Sequence, residues 1–366
     1  MADAADTGFM TTAFELAEKG RGKTSPNPLV GAVIVRGNRI VGKGFHRAAG
    51  KEHAEICAIR MAGRKAQGAT LYVNLEPCCH TGRTGPCTNA IIEAGVSRVV
   101  LSVKDPNPLV NGKGIRQLRK AGIEVETGLL KTEAEHLNDI YLGYHRNRRP
   151  YVILKLAQSL DGRIATLSGD SRWLSSRQSR RFAHRLRAEV DAVVVGAETV
   201  RRDNPALTVR HVSGPDPYRI IISESLNIPA RSNLIANNSD LKTIVASTSK
   251  SLKRFSTSRR TNSPIMWTVK RTGKGRLDLS DFVSKANDFG LQSILVEGGA
   301  GLATSFLRAG LVDRLVLITA PVLIGHGVNT LNDLGIRRIS KGVKLQGTRG
   351  FSSGPDRILI GYPKQD

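Results

Sequence analysis

The chain has few cysteines and few aromatic residues. Four cysteines occur among 366 residues, and two of them are adjacent. That number argues against a disulfide framework and indicates a reducing compartment in which thiols bind metal or react. Aromatic residues make up 5% of the chain, so the stacking platforms typical of proteins that bind single-stranded nucleic acid are scarce.

Long apolar runs are missing as well. No segment reaches the roughly 18 uninterrupted apolar residues that suit a membrane-spanning helix. The N-terminus has neither the basic region nor the apolar region of a secretory signal. We therefore expect a soluble, cytoplasmic protein without a membrane partner.

Acidic residues are outnumbered by basic ones. Lysine and arginine number 55 against 31 aspartates and glutamates, which gives a formal net charge of +24. Such a charge is typical of nucleic-acid-binding proteins, but the same field attracts small phosphorylated substrates. Charge alone does not decide between these two classes of ligand.

The chain is long enough for two domains. A polar run, Arg146–Arg149, ends at Pro150 and predicts a boundary. We expect one domain over residues 1–146 and a second over residues 147–366.

Helices and strands alternate in both halves. The first half predicts a three-layer α/β domain with a hairpin turned at Gly37-Asn38. Thr132 and Glu135 have the spacing of a capping box, which predicts one last helix that ends near Tyr144. The second half begins with a strand at Tyr151 and resumes the alternation.

Three residues of the first domain have the pattern of a catalytic zinc site. His53-Ala54-Glu55 precedes a predicted strand, and the steps Pro77-Cys78 and Pro86-Cys87 follow it. One imidazole and two thiolates leave a tetrahedral Zn²⁺ one open position, where the ion lowers the pKa of a water toward roughly 7. Glu55 is then a carboxylate that can move protons, as in zinc deaminases.

Other interpretations stay open on these residues alone. A fourth ligand, His80, would close the site and make the zinc structural, and a pair of cysteines is often part of a core. The open site is favoured because Glu55 and both Pro-Cys steps would otherwise lack a purpose. The spacing differs from the usual deaminase motif, since eight residues rather than two separate Cys78 from Cys87.

Three segments of the second domain follow predicted strands and carry polar or glycine-rich turns: Lys155–Arg163, Gly196–Arg210 and Val296–Gly301. Together they predict the carboxyl edge of an open α/β sheet, where ligands bind. The third has the form that presents backbone N–H groups to a phosphate. This half has no Gly-x-Gly-x-x-Gly after an early strand, so an ordinary Rossmann dinucleotide site is not supported.

Three side chains of this half are candidates to bind phosphate or ribose: Ser171, Arg187 and Arg210. Arginine can hold a phosphate through two parallel hydrogen bonds. Arg187 also lies in a basic stretch around Arg180-Arg181, where a solvated surface position is the plain alternative.

Taken together, these motifs resemble the bifunctional deaminase/reductase family of bacterial riboflavin biosynthesis over nearly the full chain. In the first half the resemblance rests on Asn27–Gly31, His53–Glu55, Glu76–Cys87 and Asp105–Pro108. In the second half it rests on Lys155–Ala157, Ser159–Gly162, Asp203–Arg210 and Glu297–Gly299. The wide cysteine spacing is a mark of this family.

The resemblance implies a fold and two consecutive reactions. The fold is α/β, with a cytidine-deaminase-like three-layer domain followed by a dihydrofolate-reductase-like domain. The first reaction is a zinc-dependent deamination of 2,5-diamino-6-(5-phosphoribosylamino)pyrimidin-4-one. The second is an NADPH-dependent reduction of the ribosyl side chain that gives 5-amino-6-(5-phosphoribitylamino)uracil. We also expect a homo-oligomer that binds this small substrate and no nucleic acid.

The resemblance also assigns residues to roles. It implies that His53, Cys78 and Cys87 are the zinc ligands and that Glu55 is the proton shuttle. It implies substrate contacts for Asn27, His46, His80, Arg83, Asp105 and Asn107 in the first domain, and for Ser171, Arg187, Leu207, Arg210 and Glu297 in the second. It implies NADPH contacts for Ala157, Trp173, Thr199, Asp203, Gly299, Ala300, Gly301, Leu302, Ala303, Thr304 and Ser305. Lys155 and Asp203 are the candidates for the group that donates a proton to the sugar as its ring opens. Lys155 is also counted among the substrate contacts.

The chain departs from the family pattern at a few positions. Gly85 replaces a proline, Cys79 stands where serine is common and adds a competing thiol, and Arg202 replaces a small residue near the cofactor. We expect Thr81–Gly85 to shape a pocket for a free nucleotide-like ring.

Two other functions are compatible with parts of the sequence. One is a zinc deaminase that acts on tRNA or other nucleic acid, with the second half as a binding module, and the basic charge favours it. The long ligand loop, the strand-end motifs and the shortage of aromatic residues favour a small phosphorylated substrate instead. The other is a zinc-stabilised binding protein without activity, which Glu55 disfavours.

Overall fold

A computed structural model describes residues 4–81, 85–255, 262–273 and 275–364. The chain forms two compact units, Met1–Arg148 and Arg149–Asp366. The division falls two residues after the position that the polar run predicts. Over the described ranges, none of the helices has the length and apolar character needed to cross a membrane.

The first unit is built on a five-stranded mixed sheet. Its helices are α1 (Ala4–Glu18), α2 (Ala54–Ala62), α3 (Cys87–Glu93), α4 (Lys113–Lys120), α5 (Lys131–Leu137) and α6 (Asp139–Asn147). Its strands are β1 (Gly31–Arg36), β2 (Arg39–Phe45), β3 (Thr70–Leu75), β4 (Arg98–Val103) and β5 (Glu124–Thr127). The strand order is β2-β1-β3-β4-β5, with β1 antiparallel to both neighbours and β3, β4 and β5 parallel.

Alternate residues of β1 divide the core of this unit between the two faces of the sheet. Ile34 packs with buried residues of α2, α3 and α4, whereas Val33 packs with α1. The helices therefore cover both faces, and the predicted three-layer domain is confirmed. The predicted hairpin is also present: Arg36 pairs with Arg39, and Gly37 and Asn38 have φ of 52° and 59°, as a type I′ turn requires.

Two glycines let backbone segments approach each other closely next to the segments that carry the predicted zinc ligands. A Cβ on Gly44 of β2 would lie 2.1 Å from the carbonyl oxygen of Ala54, at the start of α2. A Cβ on Gly114 of α4 would lie 2.3 Å from the carbonyl oxygen of Pro77. A side chain at either position would displace a segment that carries a predicted zinc ligand.

The single last helix predicted from the capping-box pattern is wrong. Thr132 lies inside α5, the residue before that helix is Leu130, and Asn138 separates α5 from α6. The buried Asn138 side chain accepts from the Leu29 amide at 2.8 Å and donates to the Leu29 carbonyl at 2.9 Å. An asparagine side chain that bonds to backbone favours such a break, and its partner lies too far along the chain to be visible in a local pattern.

The second unit is built on a nine-stranded sheet. The strands of the unit are β6 (Tyr151–Ser159), β7 (Arg163–Thr166), β8 (Ala192–Gly196), β9 (Tyr218–Ile222), β10 (Thr243–Ser247), β11 (Ile265–Thr268), β12 (Ser293–Val296), β13 (Arg314–Ala320), β14 (Gly327–Asn329), β15 (Leu345–Ser353) and β16 (Asp356–Pro363). Of these, β7 and β14 pair with each other in a separate two-stranded sheet. The helices of the unit are α7 (Arg177–Glu189), α8 (Ala197–Asp203), α9 (Asn233–Ala236), α10 (Ser249–Phe255), α11 (Leu279–Asp288) and α12 (Ala300–Arg308).

The strand order of the large sheet explains where its polar segments meet. The order is β11-β10-β9-β8-β12-β6-β13-β16-β15, parallel from β11 to β13 and antiparallel in the last two pairings. This agrees with the α/β, dihydrofolate-reductase-like class that the resemblance implies. Because β8, β12 and β6 are adjacent and parallel, the three polar segments that follow them leave the sheet at one edge.

A buried carboxylate, Glu76, organises the edge of the first unit. It is 3% exposed and accepts backbone N–H groups of Asp105 at 3.2 Å, Gly112 at 2.9 Å and Ile115 at 3.2 Å. Glu76 follows β3 directly and precedes Cys78 by two positions. It therefore fastens the loop after β4 and the start of α4 to the segment that carries a predicted zinc ligand.

We expect Glu76→Gln to lower the free energy of unfolding by about 1–3 kcal/mol, because the new amide group would face one of these N–H donors and leave it unsatisfied. Equilibrium urea unfolding of the full chain, followed by far-ultraviolet circular dichroism, measures the change. The matched control is Glu133→Gln on the exposed surface of α5, which should change the stability by less than about 0.5 kcal/mol. Equal effects of the two substitutions would contradict the role of Glu76.

Candidate active sites

Three donor atoms of the first unit converge at the ends of two helices. Nδ1 of His53 lies 3.1 Å from Sγ of Cys87 and 3.5 Å from Sγ of Cys78. His53 is the N-cap of α2, and Cys87 is the first residue of α3. The ligand atoms of the three residues all lie within 4.8 Å of one another.

This donor set fits zinc. One imidazole nitrogen and two thiol sulfurs match the preference of Zn²⁺ for nitrogen and sulfur ligands, and three protein ligands leave a fourth position open. Hydrogen bonds from Cys87 and then His53 lower the pKa of Cys78 to about 4, although burial opposes this. Cys78 is therefore disposed to the thiolate form that binds metal, whereas the hydrogen bond between the two sulfurs, together with burial, raises the pKa of Cys87.

The two residues that could compete as ligands lie elsewhere. Within the described ranges, the group of side chains that could hold a metal contains His53, Cys78 and Cys87 but neither Cys79 nor His80. Sγ of Cys79 lies 3.8 Å from the carbonyl oxygen of Leu109. The arrangement favours the open site over the closed one.

Glu55 lies in the first turn of α2, two positions after His53, and is 3% exposed. Burial, and then the negative charge of Cys78, raise the pKa of Glu55 to about 6. A carboxyl group with such a pKa can both accept and release a proton near neutral pH.

A neutral histidine borders the same site. His46 is buried, and its ring packs edge-on against the ring of His53, with the centroids 5.4 Å apart. Nδ1 of His46 lies 3.0 Å from the carbonyl oxygen of Glu52, which can only accept, so Nδ1 carries the proton. Burial lowers the pKa of His46; its Nε2 then accepts from the side-chain amide of Asn27 at 3.0 Å.

Asp105 and Asn107 form a second polar group beside the zinc ligands. Asp105 accepts the backbone N–H of Asn107 at 2.8 Å and the hydroxyl of Tyr141 at 3.1 Å. Burial raises the pKa of Asp105 to about 6. Nδ1 of His80 is buried and has no hydrogen-bond partner in the part of the chain that the structure describes. The remaining predicted contact, Arg83, lies outside the described residues.

In the second unit, a buried ion pair joins two of the predicted substrate residues. The guanidinium of Arg187 donates two hydrogen bonds of 2.8 Å to the carboxylate of Glu297, and a third to the carbonyl of Thr208 at 3.2 Å. The Arg187 side chain is only 13% exposed, so the alternative of a solvated surface position does not hold. Arg187 therefore makes its two parallel hydrogen bonds to the Glu297 carboxylate, and not to a phosphate as the sequence predicts.

Lys155 belongs to the same charged cluster. Burial would raise the pKa of Glu297, but the charge of Arg187, the Arg187 hydrogen bonds and the charge of Lys155 lower it to about 2. Burial lowers the pKa of Lys155, while the charge of Glu297 acts in the opposite direction. Glu297 is therefore ionised; it binds Arg187 directly, and the charge of Lys155 acts on it from nearby.

The other predicted substrate residues of this unit differ in their surroundings. The Arg210 side chain is exposed, and its backbone N–H donates to Nδ1 of the buried His184 at 3.0 Å. Burial, followed by the charges of Arg187 and Arg210, lowers the pKa of His184 to about 4, which keeps it neutral and able to accept. Leu207 is 2% exposed, and Ser171 accepts from the Leu174 amide through its carbonyl.

The predicted cofactor residues lie mainly along one edge of the large sheet. Gly299 is the N-cap of α12, and residues 300–305 form the first turns of that helix. Thr199 and Asp203 lie on α8, and Ala157 lies on β6. Trp173 is 73% exposed, and the guanidinium of Arg180 lies 4.5 Å from the centre of its ring.

A cleft of about 1220 Å³ opens beside α12. Its lining includes Gly301, Leu302 and Ser305 of the predicted cofactor segment. The opposite parts of the lining come from the start of α8, from the residues after β9 and from the turn before α11. A dinucleotide at the helix N-terminus would have this cleft beside it.

Sequence reasoning missed several residues that hold these sites. The sequence places Glu76 in the Glu76–Cys87 motif without indicating its role, and no local pattern marks Tyr141 or His184. Tyr141 reaches Asp105 from 36 positions away, and His184 reaches Arg210 from 26 positions away. A local signal existed only for Glu76, which stands immediately before Pro77-Cys78.

Comparison with known proteins identifies both units. The model of the cytidine and deoxycytidylate deaminase zinc-binding region matches residues 3–103, and the model of the RibD C-terminal domain matches residues 150–359. The riboflavin biosynthesis protein RibD of Aquifex aeolicus is 43% identical over 356 residues, covering 97% of this chain and 98% of that protein. RibD of Escherichia coli is 40% identical over 368 residues, with coverage of 97% and 98%.

Solved structures give the same relationship. RibD of Acinetobacter baumannii is 36% identical and aligns with a TM-score of 0.84 over 99% of each chain. A diaminohydroxyphosphoribosylaminopyrimidine deaminase/5-amino-6-(5-phosphoribosylamino)uracil reductase from Thermotoga maritima is 33% identical, with a TM-score of 0.85 over 98% of this chain and 99% of that chain. This chain therefore belongs to the RibD family and is a bifunctional deaminase and reductase of riboflavin biosynthesis.

Proposed function

We propose that the first unit hydrolyses the 2-amino group of 2,5-diamino-6-(5-phosphoribosylamino)pyrimidin-4-one to ammonia. The second unit then reduces the ribosyl side chain with NADPH to give 5-amino-6-(5-phosphoribitylamino)uracil. The observation that carries the proposal is the convergence of His53, Cys78 and Cys87 beside the buried Glu55, in a chain whose second half carries a reductase domain. In this proposal the substrate is a small phosphorylated pyrimidine and not a nucleic acid.

The roles of residues in the deamination follow from their positions. Zinc held by the two thiolates and the imidazole would supply Lewis acidity and lower the pKa of a water at the open position. Glu55 takes a proton from the attacking water and delivers it to the departing nitrogen, a dual role that suits its raised pKa. The neutral His46 fixes the amide of Asn27 by accepting from it, so the amide oxygen of Asn27 is left for the substrate.

The roles in the reduction depend on orientation. The nicotinamide cofactor supplies a hydride, and the protein has to hold the first carbon of the sugar against it. We assign the cofactor to the side of α12 and Thr199, and the substrate to the charged cluster around Glu297. Lys155 is the favoured proton donor for the opening sugar, because burial lowers its pKa and so eases proton release. Arg187 acts by holding Glu297, and Arg210, whose side chain is exposed, is the better candidate to contact phosphate.

Two further expectations belong to this proposal. The thiols that meet at the zinc site are free, which suits a reducing, cytoplasmic compartment. A homo-oligomer remains an expectation that sedimentation of the purified chain would test.

The whole proposal is tested by supplying the ribosylated diaminopyrimidine phosphate with and without NADPH. We expect the zinc-loaded protein to release ammonia in both cases and to oxidise NADPH only after deamination. Absence of ammonia release would contradict the first assignment. Absence of NADPH oxidation with the deaminated compound would contradict the second.

Replacing Cys87 by Ser should remove most of the zinc, whereas Cys79→Ser should keep about one zinc per chain, because Cys79 lies outside the ligand cluster. Metal analysis of the two purified variants after dialysis against a weak chelator measures the difference. Loss of zinc from both variants would contradict the assignment of the ligands and would make Cys79 part of the site.

Replacing Glu55 by Gln should lower the rate of ammonia release by about 10²- to 10⁴-fold, because Gln cannot exchange the proton. Zinc content and NADPH oxidation with the deaminated substrate should stay at the level of the unmodified protein. Glu133→Gln, on the same unit but exposed, is the matched control. Ammonia release that survives Glu55→Gln would show that another group moves the proton.

The salt dependence of substrate binding separates the small substrate from a nucleic acid. For the phosphate ester, we expect the Michaelis constant to rise with salt with a logarithmic slope of only about 1 to 2. A nucleic acid that contacts several phosphates would give a slope of about 6 or more. Measuring the deaminase Michaelis constant between low and physiological salt makes the distinction, and a steep slope would favour the tRNA alternative.

A further inference from the structure

The cleft beside α12 has a basic turn on its rim. The residues from Arg271 to Arg276 read Arg-Thr-Gly-Lys-Gly-Arg, and none of them belongs to the motifs that carry the family resemblance. Thr272, Gly273 and Arg276 line the cleft together with Gly301 and Ser305 of α12. These three residues of the turn therefore border the space assigned to the cofactor.

Backbone contacts join the described residues of this turn, on either side of Lys274, which lies outside the described residues. Arg271 pairs with Leu277 across it, and the backbone N–H of Thr272 donates to the carbonyl of Arg276 at 2.7 Å. The backbone N–H of Gly275 donates to the carbonyl of Thr272 at 2.9 Å, and Gly275 has φ of 76°, a conformation that favours glycine. Arg276 thus projects from a fixed point on the rim.

Three arginines line the cleft, and they differ in their partners. Arg201 forms an ion pair with Glu198 and donates to the carbonyl of Asn227 at 2.8 Å. Arg308 lies in the last turn of α12; Asp333 is paired with Arg337, whose hydrogen bonds are the main cause of the lowered pKa of that carboxyl, and the charge of Arg308 adds only a little. Across the described ranges, no acidic side chain pairs with Arg276. Arg276 therefore presents to the cleft a guanidinium that no acidic side chain of the described residues pairs with.

The acidic residues of the same cleft are already engaged. Glu198 is paired with Arg201 and Arg202. The side chain of Asp278 accepts the backbone N–H groups of Ser280 and Asp281 as the N-cap of α11. The Glu224 carboxylate accepts the backbone N–H of Leu277 at 3.3 Å. Their charges are partly offset by these donors, whereas that of Arg276 is not offset by a neighbouring acid.

One wall of the cleft runs along the helix α12. It extends from Gly301, in the first turn of the helix, to Arg308 in the last, or about 10 Å at 1.5 Å per residue. The helix N-terminus attracts the pyrophosphate of a dinucleotide. The rest of the wall and the basic turn then border the adenosine half.

We propose that Arg276 binds the phosphate on the 2′-oxygen of the adenosine ribose and so makes the reductase select NADPH over NADH. The inference rests on the proposed use of a nicotinamide cofactor and adds the residue that chooses between its two forms. The two dinucleotides differ only in this phosphate, and a guanidinium binds phosphate through charge-assisted hydrogen bonds.

The test compares the unmodified chain with Arg276→Ala, Arg276→Lys and Arg338→Ala. Arg338 is an exposed arginine of the same unit that does not line the cleft, so it controls for a general loss of positive charge. Calorimetry measures the binding of NADP⁺ and NAD⁺ without substrate. Steady-state kinetics with the deaminated substrate measures kcat/KM for NADPH and NADH.

We expect Arg276→Ala to weaken NADP⁺ binding by about 10- to 100-fold and to leave NAD⁺ binding within about twofold. The ratio of kcat/KM for NADPH over NADH should fall by the same factor. Arg276→Lys should retain part of the preference, and Arg338→Ala should retain all of it.

Two results would overturn the inference while the proposed function stands: equal weakening of NADP⁺ and NAD⁺ in Arg276→Ala, or an unchanged preference in that variant. A chain that oxidises neither dinucleotide with the deaminated substrate would overturn the proposed function itself, and the inference with it.

Discussion

The deaminase half depends on a single buried carboxylate, that of Glu76. Its two oxygens accept three backbone N–H groups from the loop after β4 and from the start of α4. The residue stands between β3, which is fixed by the sheet, and Cys78, which has to meet His53 and Cys87. Because a carboxylate can accept several hydrogen bonds at once, one side chain fixes the second polar group of the site, around Asp105, relative to the zinc ligands.

The reductase half uses charge in a different way. Glu297 is ionised in a buried position because Arg187 and Lys155 face it, and a buried charge without such partners is very costly. The pairing also holds the positively charged guanidinium of Arg187 in one orientation at this edge of the sheet. The neutral His184 accepts the backbone N–H of Arg210 and so fixes the backbone at Arg210 without adding a further charge.

The sequence predicts features whose cause is local. The hairpin at Gly37-Asn38 needs two residues that tolerate positive φ. The zinc ligands can be predicted because few residue types bind the ion. The alternation of helices and strands follows from the hydrophobic pattern. The break at Asn138 could not be predicted, because its cause is a hydrogen bond to Leu29 that spans 109 positions. The pairing of Arg187 with Glu297 spans 110 positions, so the local sequence indicates a candidate phosphate ligand at Arg187 but not the carboxylate that binds it.

The two hydrogen bonds between Asn138 and Leu29 also bear on how the chain is made. A protein is synthesised from its N-terminus, and domains generally fold as units in that order. The strand that begins at Gly31 is among the first parts of the deaminase half to be made, yet Leu29, two positions before it, gains this partner only after Asn138 has been added. The first unit ends ten residues later, at Arg148. The fold of the first unit is therefore completed by nearly its last segment: a fragment that stops before Asn138 would leave the Leu29 N–H without its acceptor, while the Leu29 carbonyl would keep the side-chain amide of Asn74.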